Sequence, residues 1–213
     1  MTDVDAKTAS PKQKKQKVKL QLKSPSQQRS RQTVATILEA CERIVIKEGF
    51  FGVSTDKIAK EAGVSIGSLY QFFGNKESVV SALIQDLMDK DLQFFRERVN
   101  YVQTLPKEQR VHALIQIGID IYSIKSELRS RLQNIYKYLL DANYFVGILN
   151  VYEEGITQFL EPKNGRDPRM MAHIYAVSFE GLLDAAVAKN PNFKDDEKFV
   201  KEIFAMFEPY LLG

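Results

Sequence analysis

The sequence predicts an all-α protein: an N-terminal three-helix head followed by a C-terminal helical bundle, about nine helices in all. Three observations lead there. From residue 29 onward, apolar residues recur at the i, i+3, i+4, i+7 spacing of a helix face. Pro, Gly and Asn fall between these runs, where helices start and stop. No alternating run long enough for a useful strand interrupts them, and no internal repeat is present.

The elements follow in order. Ile37, Ala40, Cys41, Ile44 and Val45 mark a first helix over about 30–48, stopped by Gly49. Cys41 lies on that stripe and reads as a small core residue. A short second helix runs from Thr55, whose hydroxyl is placed to cap it, to Ala62, with Asp56 favouring the positive end of the helix dipole. Gly63 ends it, and Ser65 caps a third short helix reaching about Phe73. Asn75 caps a long fourth helix with Val80, Leu83, Ile84, Leu87, Met88, Leu92 and Phe95 on one face. Further helices are expected over 107–124, 127–141, 144–160, 168–189 and 195–211, the fourth of these opened by Asp167-Pro168.

Composition narrows the class. The 213 residues include 30 Lys+Arg, 27 Asp+Glu, one Cys and 44% apolar residues, as in soluble globular proteins. One cysteine cannot form an internal disulfide, which removes the stapled secreted class. No apolar run approaches the ~18 residues of a bilayer span, and the N-terminus lacks a signal-peptide core. A cytoplasmic protein without a membrane partner is therefore expected. The formal net charge of +3 conceals an uneven distribution, because residues 1–32 carry nine basic groups and two acids while the remainder is net acidic. Residues 1–28, rich in Lys, Gln, Ser and Thr, read as a disordered arm. Three roles stay open for it: a solvating tail, an electrostatic grip on nucleic-acid phosphates, or contact with an anionic membrane.

The chemistry is concentrated in residues 54–77, Ser-Thr-Asp-Lys-Ile-Ala-Lys-Glu-Ala-Gly-Val-Ser-Ile-Gly-Ser-Leu-Tyr-Gln-Phe-Phe-Gly-Asn-Lys-Glu. Two helices of about two turns meet at Gly63-Val64-Ser65, with Ala59 small at the crossing and Gly63 free to take a left-handed turn. Ile58, Val64 and Leu69 are placed to bury together. Polar residues collect at the start of the third helix, where a core hairpin would carry larger apolars. These features specify a helix-turn-helix whose second helix enters a major groove.

The run Thr55-x-x-Ile58-Ala59-x-x-Ala62-Gly63-Val64-Ser65-x-Gly67-x-Leu69-Tyr70-x-x-Phe73-x-x-Lys76-Glu77 resembles the N-terminal domain of TetR-family transcriptional regulators. The resemblance covers about residues 30–80. It implies a bacterial homodimer that binds a palindromic double-stranded DNA operator and is released by a small effector. The implied organisation is an arm at 1–28, a DNA-binding head at 29–75, and an effector-binding and dimerisation body at 76–213. Carried over by position, Ser65, Ile66, Gly67, Ser68, Tyr70, Gln71 and Phe72 form the recognition helix. Tyr70 would meet a phosphate or a thymine methyl, Gln71 would read adenine, Gly67 would permit close approach, and Ser68 would reach a phosphate. Thr55 and Lys76 would hold further phosphates. Phe72 departs from the Tyr or His common in the family, so a polar contact is missing there. The head itself, residues 33–80, has five basic groups and six acids, which leaves phosphate attraction to the arm.

Tyr122, Tyr136, Phe145, Tyr152, Tyr175 and Phe179 fall on helices that, by resemblance, surround the effector cavity, and together suit an apolar or aromatic ligand. Each taken singly also fits plain core packing. Arg129, Arg131 and Lys137 are placed either to meet an anion or to face solvent. Val177, Gly181, Leu182 and Ala185, with Phe204, Phe207 and Leu211 on the last helix, form the expected dimer face. His112 and His173 show no metal-ligand spacing, and no catalytic constellation or phosphate loop stands out. No enzyme activity, metal or cofactor is expected. A DNA-binding regulator or architectural protein lacking a small-molecule switch is the alternative reading.

Overall fold

The stripe Ile37, Ala40, Cys41, Ile44 and Val45 is buried on α1 (Gln28–Glu48), as its spacing requires. The computed structural model describes residues 28–162 and 164–212. The arm expected at 1–28 therefore lies, up to residue 27, outside the described residues. Burial pushes the Cys41 thiol up to about 12, so it stays protonated and acts as an apolar core group.

Gly49, at φ 71°, turns the chain into a 3-10 turn over Phe50–Gly52. α2 (Thr55–Ala62) then begins, and its cap is Ser54, not Thr55. Ser54 has the extended backbone a cap needs, and its Oγ accepts from the Lys57 amide at 3.3 Å. Thr55 is already helical, which frees its hydroxyl for another partner. Gly63 ends α2 at φ 67°, and Ser65 caps α3 (Ile66–Tyr70) by accepting from the Ser68 amide at 3.0 Å. α3 stops at Tyr70, earlier than expected. Asn75 and Ser78 cap α4 (Lys76–Val102) reciprocally, each side chain accepting from the other's amide.

The remaining helices are α5 (Lys107–Ser123), α6 (Ser126–Leu132), α7 (Tyr136–Leu139), α8 (Ala142–Thr157), α9 (Pro168–Lys189) and α10 (Glu197–Leu212). Ten helices thus occur among the described residues where nine were expected, because the segment expected at 127–141 is broken between α6 and α7. Its buried positions Leu128, Leu132, Tyr136 and Leu140 keep a four-residue spacing across the break, which hides it from periodicity.

Two hydrophobic cores result. One gathers α1, α2, α3, the first turns of α4 (Val79 to Leu87) and α6–α7. The other gathers the rest of α4 (Phe95, Val99, Val102) with α5, α8, α9 and α10. α4 belongs to both. Two glycines in the second core act as notches. A Cβ on Gly118 would lie 2.3 Å from the Phe179 ring, and one on Gly155 would lie 2.5 Å from the Phe95 ring.

The capping assignment is testable by thermal unfolding. Ser54→Ala should cost about 1 kcal/mol and lower the melting temperature by about 2–4 °C. Thr55→Ala should stay within about 0.5 kcal/mol.

Candidate functional site

The turn between α2 and α3 is tied by Val64 N–H donating to the Ala59 carbonyl at 3.0 Å, and Ile58, Ala59 and Leu69 are buried beneath it. With that side anchored, α3 presents its other side to solvent. Ser65, Ile66, Gly67, Tyr70 and Gln71 are exposed, and Ser68 is half-buried. A Cβ on Gly67 would meet only Ser65 Oγ, at 3.9 Å, so nothing inside the protein requires glycine there. The missing side chain matters only to something approaching from outside. The freed Thr55 hydroxyl lies 3.2 Å from the Tyr70 hydroxyl, so the start of α2 and the end of α3 share one polar point. Lys76, in the first turn of α4, holds its ammonium 4.9 Å from the centre of the Phe50 ring. Phe72 is half-buried against the head core and offers the outside an apolar edge at most. Thr55 and the exposed face of α3 therefore form one surface of neutral donors and an apolar residue, and Lys76 stands apart from it against Phe50.

A second site lies in the body. A cavity of about 240 Å³ is walled by α4, α5, α6, α8 and α9. Tyr122, Phe145, Tyr152, Tyr175 and Phe179 line it. Tyr136 does not: its hydroxyl donates to Asp184 Oδ2 at 2.6 Å, and its ring packs on Phe145, 5.4 Å away. Among the lining groups that the sequence reading does not include are two acids and a leucine. Leu149 comes from α8, Asp91 from α4 and Glu180 from α9. Arg129 also lines the wall, and its Nη2 donates to both Asp91 oxygens at 2.6 Å. Both side chains of this pair are nearly out of solvent, at 13% and 8% exposure. Burial pushes the Asp91 carboxyl above its usual range, and the Arg129 guanidinium opposes that only in part. Such a pair adds little net stability but is harmful to break from one side.

The expected dimer face divides. Val177 is 46% exposed, and Gly181 and Ala185 are exposed with it on the outer side of α9. Met170, Ile174 and Met206 extend that apolar surface. Leu182 and Phe204 are half-buried, and Phe204 stacks on His112. Phe207 and Leu211 instead point into the body's own core, each 3% exposed, and Phe207 packs edge-on against Tyr175 and Phe179. The helical period puts them on the inner face of α10, turned away from Met206. Among the described residues no group of three or more His, Cys, Asp or Glu is placed to hold a metal ion.

Residues 37–83 match the family described as "Bacterial regulatory proteins, tetR family". That stretch resembles the DNA-binding domain of the TetR family. The chain is a DNA-binding transcriptional regulator. It is similar to the "Fatty acid metabolism regulator protein" of Bacillus subtilis (strain 168), 25% identical over 141 residues, which are 63% of this chain and 73% of that one. The regulator EthR of Mycolicibacterium smegmatis is 32% identical over 88 residues, 41% of this chain and 38% of its own length. In fold, this chain is similar to the fatty acid degradation regulator FadR of Bacillus halodurans, with TM-score 0.61, 19% identity, and 84% and 94% of the two chains covered. It is also similar to FadR of Bacillus subtilis in complex with stearoyl-CoA, with TM-score 0.58, 19% identity, and 83% and 97% covered.

Two substitutions test whether base reading and phosphate contact separate in this head. Gln71→Ala should lose about 1–3 kcal/mol on the preferred DNA sequence and relax the preference at one base pair. Lys76→Ala should weaken binding on every sequence and reduce the salt slope by about 1. Fluorescence anisotropy on preferred and scrambled duplexes across a salt series checks both.

Proposed function

We propose that this regulator is a homodimeric repressor, released from a palindromic operator by a small apolar or aromatic effector held in the body. The observation that carries the reading is α4. It starts at Lys76, six residues after the end of α3, packs in the head core through Val79 to Leu87, and supplies Met88, Asp91 and Phe95 to the cavity wall. One helix thus joins the surface that would touch DNA to the space that would hold a ligand.

The labour divides between the head, 29–75, and the body, 76–213. Ser65 to Phe72 read bases, while Thr55 and Lys76 hold phosphates. The cavity binds the effector through Tyr122, Phe145, Tyr152, Tyr175 and Phe179. The similarly folded FadR of Bacillus subtilis, in complex with stearoyl-CoA, supports a small-molecule effector for a chain of this fold. The outer faces of α9 and α10 pair with a second copy through Val177, Gly181, Leu182, Ala185 and the half-buried Phe204, with Met206 beside them. α9 is apolar on two sides, long and apolar enough by composition to cross a bilayer, and a twin subunit covers its outer side more simply than lipid does. The protein acts in the bacterial cytoplasm, where the operator is, and catalyses nothing.

Ligand entry moves the wall. Phe95 lies 4.7 Å from Tyr152, centre to centre, so an occupant between α4 and α8 must shift one ring. A shift of α4 changes the separation of the two heads, which fit successive major grooves only near 34–36 Å or its multiples.

Selection of bound duplexes from a random pool, followed by a metabolite screen for release, tests the reading. An inverted repeat is expected, bound by a species of twice 24.3 kDa, and Val177→Glu should give the single-chain mass and lose operator binding. A single unrepeated site held by the 24.3 kDa chain would contradict the dimer.

A further inference from the structure

The charges lining the cavity do not balance. Arg129 and Asp91 neutralise one another through the paired contacts at 2.6 Å, and Arg129 Nε is spent on the Ile124 carbonyl at 3.0 Å. Glu180 then adds a second carboxylate to the same wall. It is only partly exposed, and among the described residues it makes no hydrogen bond and no ion pair. Burial pushes its carboxyl up, and the neighbouring Asp184 pushes it further, against a weaker pull from Lys137. Asp184 is itself engaged by the Tyr136 hydroxyl and lends no donor to Glu180.

The same negative field reaches the tyrosines. Burial raises the Tyr122 hydroxyl most, and Asp184 and Glu180 then add to it. Tyr152 is raised by burial and then by Asp91, with Glu180 adding to it. Around these acids the wall is aromatic and aliphatic, with Phe95, Tyr175, Phe179 and Leu149.

A desolvated carboxylate without a partner is an unfavourable arrangement that a ligand can relieve. A ligand carboxylate or phosphate would compete with Asp91 for one guanidinium while sitting beside Glu180, a like-charge crowding that low dielectric amplifies. A neutral chain would bury Glu180 further and give it nothing. A cation supplies the missing charge, and the electron-rich faces of surrounding tyrosine rings favour it as well. We propose that the effector is a cationic amphiphile, a protonated amine or quaternary ammonium on an apolar or aromatic body, with Glu180 as its counter-ion. The assignment rests on the cavity being the effector site. It sets this cavity apart from one that takes a polyanion such as an acyl-CoA.

Three probes with one tail and different heads test it on the full chain: decyltrimethylammonium, decanol and decanoate, titrated calorimetrically below their micelle concentrations. The ammonium should bind at least about tenfold more tightly than the alcohol, with the carboxylate weakest. In Glu180→Gln the preference for ammonium should vanish while decanol still binds, which shows the cavity intact. Decanoate binding as tightly as the ammonium, or a preference unchanged in Glu180→Gln, would overturn the proposal and leave the cavity reading standing. If none of the three binds, the cavity is not the effector site, and the proposal falls with that reading.

Discussion

The sharing of α4 between two hydrophobic cores is the constraint on which the rest of the structure depends. Its 27 residues span about 40 Å. Val79 to Leu87 lie in the head core, and Phe95 to Val102 lie in the body core. Neither core can repack along α4 without moving the other, because close-packed interiors transmit displacement rather than absorb it. Between the two stretches sits Asp91, a carboxylate nearly removed from water and held by Arg129 of α6. Lys125, the residue just before α6, pairs with Glu42 of α1 in the head. The cavity wall is thus tied to the head by two routes, one apolar and continuous, the other made of ion pairs.

Much of this was legible in the residues, and the failures have identifiable physical causes. Ser65, Asn75 and Gly63 act as expected because a cap or a left-handed turn is a local requirement that few residue types meet. Ser54 was missed in favour of Thr55 because adjacent hydroxyls are equally good acceptors, and only the backbone angles decide between them. The break between α6 and α7 was invisible because the buried residues keep their spacing across it. Phe207 and Leu211 were read as an interface because the final helix is apolar on more than one side. Sequence shows how wide an apolar face is, and only packing shows which half the protein covers itself.

The cavity shows the same pattern. Aromatic residues on the right helices pointed to its wall, and Tyr136 is the exception, drawn away by Asp184. The acids were overlooked although a signal was present. Asp91 stands four residues after Leu87 and four before Phe95, so it falls on the buried stripe of α4. Glu180 directly follows Phe179 and precedes Leu183 by three on α9. A charge on an apolar stripe is the place to look for function, since folding alone gives no reason to keep it there.

The proposed DNA face and the cavity share one mechanical element, α4. Coupling between two binding sites is reciprocal, so DNA bound at the heads must alter the cavity even when no effector is present. Amide hydrogen exchange with and without a selected operator duplex measures this directly. Changed protection is predicted for the cavity-lining stretches of α4, α6 and α8 as well as for α2 and α3. Protection changes confined to residues 37–83, with the cavity walls untouched, would show that α4 does not couple the two sites.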